Sequence, residues 1–387
     1  MSNTQHENLE TAEWTTAPLS RSKRLAFGGL LALLVLVVIE LIGQLAYFLV
    51  VGEWLKNRAV LPIYRQAETP GEAHELRPNV NFENRSPEFN IKLVTNSQGF
   101  RVSQPSEITP PAKPEHEYRI MLFGPSFAFG AGVNYEDTWG KILGDLLQSH
   151  TEKSVSVINA GVPSLGDYHV LKRAQRLIPA YHPDLVVFIK YFPGITKYPP
   201  DTLRCTADGY LVPNEQYWVS YVKQSAIVYW LFQIKGALGS SSSHEKEFAA
   251  AEGKLASWFD SPHYQPWQAK FISEFERLAK DDSARLVMAY APAQFEVHED
   301  YLERWGHRYD FKGEALTQLK TFHTFMGQAL ENREILYVDL LPGMLAAAAD
   351  HKTKLYFYLD VHWNAAGNKV VAEILASAIH HAGLMEP

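Results

Sequence analysis

From Glu117 onward the sequence alternates short apolar runs with stretches of helical periodicity. Strands that are apolar along their whole length are typical of parallel sheets with helices on both faces, so this alternation predicts an α/β fold with a parallel sheet. The predicted strands are Tyr118–Phe123, Ser154–Asn159, Leu185–Lys190, Arg285–Ala291 and Ile335–Leu340. The predicted helices are Asp137–Leu147, Tyr168–Ile178, Trp267–Ala279 and Glu314–Glu331. Between residues 197 and 282 the alternation breaks, and aromatic-rich sequence predicts a helical insertion packed over the sheet.

Size and charge exclude several classes of protein. With 387 residues, of which 46% are hydrophobic, the chain can bury a full-sized core and is not disordered. Its net charge of -7 comes from acidic and basic residues scattered along the chain, so nucleic-acid binding has little electrostatic support. The single cysteine, Cys205, can form neither an intramolecular disulfide nor a thiolate metal cluster.

A long apolar stretch near the amino terminus predicts a single transmembrane helix. It runs from Leu25 to Val51, and Glu40 and Gln44 are its only strongly polar side chains. About 20 apolar residues suffice to cross a bilayer. A cleaved signal peptide fits less well, because its apolar region usually has only about 7–15 residues.

The charges beside this stretch predict its orientation. Basic residues cluster just before it, at Arg21, Lys23 and Arg24, and such residues favour the cytoplasmic side. We therefore expect residues 1–24 to form a cytoplasmic tail and the rest of the chain to lie outside the cytoplasm, in the periplasm if the cell is Gram-negative.

Glu40 lies near the middle of the predicted span, where a charged carboxylate costs about 2.5 kcal/mol or more unless it is neutral or paired. Two hypotheses remain open for it. The carboxylate contacts a partner transmembrane helix, or it is protonated and faces lipid.

Residues 52–116 are rich in proline, asparagine, glutamate and arginine, and they predict a linker and lead-in segment that wraps onto the domain at 117–387. One strand-like stretch, Phe89–Thr95, runs into a turn in which Gly99 is free to take a positive φ.

Ser126 follows the first predicted strand, inside a glycine-punctuated turn that begins at Gly124. In open α/β sheets the carboxyl ends of the strands carry the binding and catalytic groups, so a serine placed there is a candidate nucleophile. The alternative is a serine that caps the following helix.

Asp360 and His362 lie two residues apart just before a carboxyl-terminal helix. In one loop, the carboxylate can orient the imidazole while the other ring nitrogen faces a nucleophile from elsewhere in the chain. The alternative is that Asn364 caps the helix and its acidic neighbour is incidental. Gly161, after the second strand, can contribute its N–H together with that of Ser126 to an oxyanion hole. Zinc binding by Asp360 and His362 has little support, because no further cluster of ligands is visible in the sequence.

Taken in order, these motifs resemble the SGNH hydrolase superfamily, also called GDSL-type esterases. The motifs are Gly124-Pro-Ser126 with Phe129-Gly130, then Asn159-Ala-Gly161, then Asp360-Val-His362-Trp-Asn364. The resemblance implies a three-layer α/β/α flavodoxin-like fold. It also implies Ser126 as nucleophile, His362 as general base, Asp360 as the residue that orients it and the Gly161 N–H as an oxyanion donor, with no metal or organic cofactor.

The chain departs from the family pattern in two places. Pro125 stands where the family usually has aspartate, and the sequence from Tyr191 to Gly194 lacks the asparagine that supplies an oxyanion contact. Two functions therefore stay open. The first is a membrane-anchored extracytoplasmic serine esterase or O-acyltransferase that acts on acetyl or acyl groups of cell-envelope glycans or lipids. The second is a non-catalytic SGNH-like subunit that binds or assembles within a membrane complex.

Overall fold

The structure is a computed structural model, and it describes residues 20–51, 63–69, 72–191, 203–205, 211–213, 225–228, 230–231, 264–301, 323–350 and 352–385. The predicted insertion at 197–282 and the first part of the helix predicted at Glu314–Glu331 lie mostly outside these residues.

The core of the described chain is a five-stranded parallel sheet in the order β11-β10-β7-β5-β6. Its strands are β5 (Glu117–Phe123), β6 (Ser154–Asn159), β7 (Leu185–Tyr191), β10 (Arg285–Ala291) and β11 (Ile335–Asp339). Short strands outside it form three antiparallel pairs: β1 (Tyr64–Gln66) with β2 (His74–Leu76), β3 (Asn81–Arg85) with β4 (Asn90–Val94), and β8 (Leu203–Cys205) with β9 (Leu211–Pro213). The sheet confirms the predicted α/β class, and every predicted sheet strand is present within one residue at each end.

Helices cover both faces of the sheet, which gives the three layers of an α/β/α fold. Apart from the amino-terminal helix α1, the helices are α2 (Ser126–Phe129), α3 (Trp139–Gln148), α4 (Asp167–Tyr181), α5 (Tyr264–Asp281), α6 (Gln294–Val297), α7 (Leu341–Ala347) and α8 (Ala365–His381). Helices α4 and α5 pack on one face through residues such as Leu177 and Phe275. Helices α3 and α8 pack on the other through residues such as Leu143 and Leu375.

The helix predicted at Asp137–Leu147 is divided in the structure. Tyr135–Asp137 forms a 3-10 turn, and α3 begins only at Trp139 because Thr138 takes an extended backbone and caps it. The Thr138 hydroxyl accepts a hydrogen bond from the Lys141 N–H at 3.4 Å. Threonine is a favoured capping residue, so the sequence contained a signal for this boundary.

The lead-in segment packs against the sheet of the domain. Arg101 forms an antiparallel bridge with Asn159, so backbone of this segment lies beside the outermost strand β6. Ile91, Leu93 and Phe100 are buried in the same cluster as the core residues of β5 and β7. The segment thereby pairs with the carboxyl end of β6, at the edge of the sheet, where backbone groups would otherwise be unpaired.

Helix α1 (Arg21–Val51) is apolar and largely exposed. By length and composition its residues Arg21–Leu49 can cross a membrane, with a mean hydropathy of 2.8 in the most apolar window. The bounds of the helix agree with the predicted span.

His323 connects the helical residues 323–330 to the edge of the sheet. Its Nδ1 lies 3.0 Å from Asp339 Oδ2, and its Nε2 lies 3.1 Å from Glu296 Oε1. Burial lowers its pKa, but the hydrogen bonds to Asp339 and Glu296 outweigh burial and raise the pKa to about 9. The folded state therefore holds this proton more tightly than an unfolded chain, in which histidine titrates near pH 6.5.

We expect this histidine to make the stability of the domain dependent on pH. Its contribution is complete below about pH 6.5 and is lost as the pH rises through about 9, because only the protonated ring pairs with both carboxylates. The variant His323→Gln should be less stable than the wild type by about 1–3 kcal/mol at pH 6, and the difference should shrink toward pH 9.5. Denaturant unfolding at the two pH values measures this. A difference that stays constant across the range would contradict the assignment.

Candidate active site

Ser126 is the first residue of α2, directly beyond the turn that ends β5. The turn depends on Gly124, whose φ of 141° suits glycine, and whose added Cβ would lie 2.7 Å from the Ile189 carbonyl oxygen. Pro125 is the N-cap residue, so the serine does not cap the helix as the alternative interpretation supposed. The Ser126 side chain instead points toward the loop that precedes α8.

Three predicted side chains meet at this point: Ser126, Asp360 and His362. Ser126 and His362 are 236 residues apart in the sequence. Ser126 Oγ lies 2.6 Å from His362 Nε2. On the other side of the ring, His362 Nδ1 is paired with Asp360 Oδ1, which also accepts the backbone N–H of His362 at 3.0 Å. An Nδ1 proton shared with the carboxylate leaves Nε2 as the acceptor for the serine hydroxyl. This is the relative arrangement of a nucleophile, a base and an orienting acid.

The Asp360 carboxylate stays ionised in this position. Burial raises its pKa, but the hydrogen bonds and charge of His362 outweigh burial and hold the pKa below its usual value. A negative charge next to Nδ1 stabilises an imidazolium, which is the state that His362 reaches when it takes a proton.

Asn364 caps α8, but Asp360 in the same loop contacts His362, so the cap does not make the acidic residue incidental. Its side-chain oxygen accepts a hydrogen bond from the Gly367 N–H at 3.0 Å, and its amide donates to the carbonyls of Lys354 and Tyr356. The cap fixes the start of the helix at Ala365, three residues beyond His362.

The two predicted oxyanion donors have different environments. The Ser126 N–H lies at the first position of its helix, where backbone donors have no intrahelical partner. The Gly161 N–H donates to Asn159 Oδ1 at 3.0 Å, so it is already engaged in this structure. Gly161 is also packed closely against the serine turn, because an added Cβ would lie 2.5 Å from the Phe129 nitrogen. Close backbone approach therefore requires glycine there, independently of any role in catalysis.

Aromatic rings surround the histidine. Phe127 lies 5.0 Å from the His362 ring, 4.6 Å from Trp363 and 4.4 Å from Tyr191, measured between centroids. Phe127 and Trp363 are buried. They form one apolar wall beside the imidazole and limit the freedom of its ring.

Arg101 ends a motif of the lead-in segment, Asn96-Ser-Gln-Gly-Phe-Arg101, to which the sequence assigned no role, and in the structure it supports the backbone just after Ser126. Its buried guanidinium donates to the carbonyl oxygen of Phe129 at 2.7 Å and also to those of Gly130 and Val133. The charge lies 4.5 Å from the centre of the Phe129 ring. Burial lowers the pKa of Arg101 to about 9. The lead-in segment thus supplies donors for carbonyl groups just after Ser126.

Glu88, between β3 and β4, binds the backbone of the loop that carries Asp360. Its carboxylate accepts three successive backbone N–H groups, those of Tyr358, Leu359 and Asp360, the last two at 2.6 and 3.0 Å. Nothing in the motifs pointed to this residue. The lead-in segment therefore contacts both the serine turn and the Asp360 loop.

We expect Glu88→Gln to lower kcat by about 10- to 100-fold with little change in KM, because an amide cannot accept all three N–H groups and the Asp360 loop shifts. Steady-state kinetics on a simple acetyl ester measure this. The matched control is Glu83→Gln in the same hairpin, whose carboxylate pairs with Arg85 at the surface. Equal kcat values for the two variants would contradict a positioning role for Glu88.

A cavity of about 380 Å³ opens beside this loop. Aromatic rings line part of it, since Phe89 and Phe357 lie 5.1 Å apart, and the polar side chains Asn134 and Asp137 line the rest. Among the described residues, no group of three or more His, Cys, Asp or Glu side chains is arranged to hold a metal ion.

One family model matches the carboxyl-terminal part of the chain, which includes Asp360 and His362. Residues 261–386 match the family model described as "SGNH hydrolase-like domain, acetyltransferase AlgX". No curated protein matches the chain.

Similar solved structures include three esterases. The acetyl xylan esterase AlAXEase is 15% identical over 67% of this chain and 99% of its own, with a TM-score of 0.38. The psychrotrophic esterase EstA from Pseudoalteromonas sp. is 13% identical over 68% of this chain and 98% of its own, with a TM-score of 0.38. The acetylxylan esterase Axe2 from Geobacillus stearothermophilus is 14% identical over 68% of this chain and 94% of its own, with a TM-score of 0.38. These likenesses are weak, and nothing about activity follows from them.

Proposed function

The chain carries an SGNH hydrolase-like domain, and on that premise we propose that it is a serine-dependent esterase or O-acyltransferase that forms an acyl-enzyme on Ser126. The observation that carries the proposal is the contact of 2.6 Å between Ser126 Oγ and His362 Nε2, with Asp360 on the opposite ring nitrogen. A serine hydroxyl is a weak nucleophile alone, and an adjacent oriented base is what activates it.

The reaction proceeds in two halves. His362 Nε2 takes the hydroxyl proton as Ser126 Oγ bonds to the ester carbonyl carbon, and the negative charge that develops on the carbonyl oxygen faces the Ser126 N–H. The tetrahedral intermediate collapses, the bond to the alcohol breaks, and the imidazolium returns the proton to that alcohol. His362 then takes the proton of a second hydroxyl as its oxygen attacks the acyl carbonyl carbon. The second tetrahedral intermediate collapses, the bond between the acyl carbon and Ser126 Oγ breaks, and the imidazolium returns its proton to Oγ. Water as this second nucleophile yields hydrolysis, and a sugar hydroxyl yields acyl transfer.

The proposed substrates are acetyl or acyl esters of cell-envelope glycans or lipids. The family that matches residues 261–386 is described by an acetyltransferase, which supports transfer of an acetyl group. The cavity beside the catalytic loop combines the rings of Phe89 and Phe357 with the polar groups of Asn134 and Asp137, a combination suited to a sugar, which has apolar faces and hydroxyl edges.

The proposed location is the cell membrane, with α1 as a single-pass anchor and the catalytic domain outside the cytoplasm. The length and apolar character of Arg21–Leu49 support the anchor, and the basic residues just before the apolar run support the orientation. An anchored enzyme of this kind meets substrates at the membrane surface.

A second candidate function is non-catalytic binding or assembly within a membrane complex. The observation that favours it is the engaged Gly161 N–H, since an oxyanion hole that lacks one donor loses about 10²- to 10³-fold in turnover. Side-chain rotation of Asn159 would free this donor without any backbone change.

Labelling of the full-length protein with a fluorophosphonate probe tests the proposal, together with turnover of a simple acetyl ester. The esterase account predicts stoichiometric labelling and measurable turnover. Absence of both would favour the binding function. Addition of a glycan acceptor then separates the two chemistries, because a transferase moves acetyl from ester to acceptor whereas a hydrolase releases acetate.

A further inference from the structure

Helix α1 touches the rest of the protein along one short face near its carboxyl-terminal end. Glu40, Gly43, Gln44 and Tyr47 are more covered than the residues before them, and their spacing of three and four places them on one side of the helix. The surface that covers them belongs to the same chain, at residues 225–231, of which 226–228 and 230–231 are helical.

The Glu40 carboxylate is fully occupied by donors at this contact. It accepts hydrogen bonds from Gln44 Nε2 at 2.8 Å, Ser225 Oγ at 2.7 Å, and the backbone N–H groups of Ala226 and Ile227 at 2.7 and 3.0 Å. An ionised carboxylate has about four acceptor positions, so this arrangement satisfies the group without water. Glu40 would be costly to bury in an apolar environment without hydrogen-bond partners, and residues of the same chain supply these partners.

Backbone and side chains also pack closely here. A Cβ added to Gly43 would lie 2.8 Å from the Ala226 Cβ and 3.3 Å from Trp230 Cδ1, so the glycine is what allows this approach. Trp230 Nε1 donates to the Gly43 carbonyl at 3.2 Å. Small residues at the point of contact and hydrogen bonds between neighbouring segments are the features that hold helices together in lipid.

The contact lies at a depth that lipid reaches. Glu40 is fifteen residues beyond Leu25, which corresponds to about 22 Å along the helix, and the hydrocarbon core of a bilayer is about 30 Å thick. The sequence from Ala226 to Phe232 is a continuous apolar run. Leu231 nevertheless has 59% of its surface exposed.

We propose that residues 226–228 and 230–231 belong to a second membrane-inserted element, which lies among the acyl chains of the leaflet nearer the domain and is docked to α1 by Glu40. The inference rests on the proposed anchoring by α1. The chain would then contact the membrane at two places. The first is α1, and the second lies in the connection between β7 and β10. That connection leaves the sheet at Tyr191, whose ring stacks on Phe127 beside His362. The domain would therefore be fixed in orientation relative to the membrane, rather than swinging on a single helix.

Cysteine labelling of the full-length chain in vesicles of phosphatidylcholine and phosphatidylglycerol tests this. In a Cys205→Ser background, Leu231→Cys is compared with Leu345→Cys, a leucine of the domain with a similar exposure of 44%. A membrane-impermeant maleimide is added while freeze–thaw opens the vesicles to both sides. We expect Leu231→Cys to react at least about 10-fold more slowly than Leu345→Cys, because lipid alone can shield it. Equal rates would overturn the inserted element, and equal labelling in denaturant confirms that both thiols are intact.

Glu40→Ala in the Leu231→Cys background tests the docking role. Loss of four hydrogen bonds should release the segment and bring its labelling rate toward that of Leu345→Cys, whereas unchanged protection would overturn docking by Glu40. A wash in alkaline carbonate separates this inference from its premise. Retention in the membrane fraction supports the anchor, and release would refute the anchoring proposal whatever the labelling pattern.

Discussion

Replacement of Ser126 by alanine is expected to abolish fluorophosphonate labelling and to lower kcat for acetyl esters by about 10⁴- to 10⁶-fold. The reason is that Ser126 Oγ lies within hydrogen-bond distance of His362 Nε2, at 2.6 Å. Without it the base has no nucleophile to activate, and only binding and any oxyanion contacts remain. Labelling of the intact protein and initial rates measure the two effects.

The matched control is Ser377→Ala, on the exposed side of α8, where the hydroxyl lies 3.3 Å from His381 Nδ1. This variant should label and turn over like the wild type. A Ser126→Ala protein that keeps more than about a tenth of wild-type turnover would show that another group performs the chemistry.

Asp360→Asn is expected to lower kcat by about 10⁴-fold while the protein stays folded. Asparagine fits the space, but it can present its amide N–H groups to Nδ1 and so favour the tautomer that carries its proton on Nε2, where it blocks acceptance from Ser126. The two hydrogen bonds that Asp360 Oδ1 accepts from His362 show how directly this side chain sets the ring. Kinetics on the same acetyl ester and a thermal melt measure the change.

The control for this variant is Asp145→Asn, an exposed carboxylate that pairs with Lys141 on α3. It removes the same charge from the surface and should leave kcat within about 2-fold of wild type, as is usual for an exposed pair. A loss of turnover in Asp360→Asn that accompanies a fall in thermal midpoint would point to misfolding instead of a wrong tautomer.

Local pattern predicted the sheet and singled out Ser126, Asp360 and His362 as candidates, and the combined resemblance to the SGNH superfamily implied their roles. Strands β7 and β10 are near-continuous apolar runs, because helices cover both faces of the sheet, and such runs are visible in the sequence. Ser126 was predicted because a glycine-bounded turn follows a strand. Asp360 and His362 were predicted because two chemically complementary residues stand together before a helix.

The supporting contacts could not be predicted, because they join distant backbone to side chain. Arg101 binds carbonyl groups 28 to 32 residues away, and Glu88 binds N–H groups about 270 residues away. Backbone carbonyls and N–H groups have no sequence signature, so neither residue differs from an ordinary surface charge in the sequence. The occupation of the Gly161 N–H by Asn159 depends on one side-chain rotamer, which a motif cannot specify.

The direct test of the account is to trap the acyl-enzyme. The purified full-length protein is mixed with an acetyl ester, quenched in acid within the first turnover, digested and analysed by mass spectrometry. The account predicts the mass of one acetyl group on the peptide that contains Ser126, and none on that peptide from Ser126→Ala. Turnover of the ester with no acetyl on Ser126 at any quench time, or acetyl on another residue alone, would contradict it.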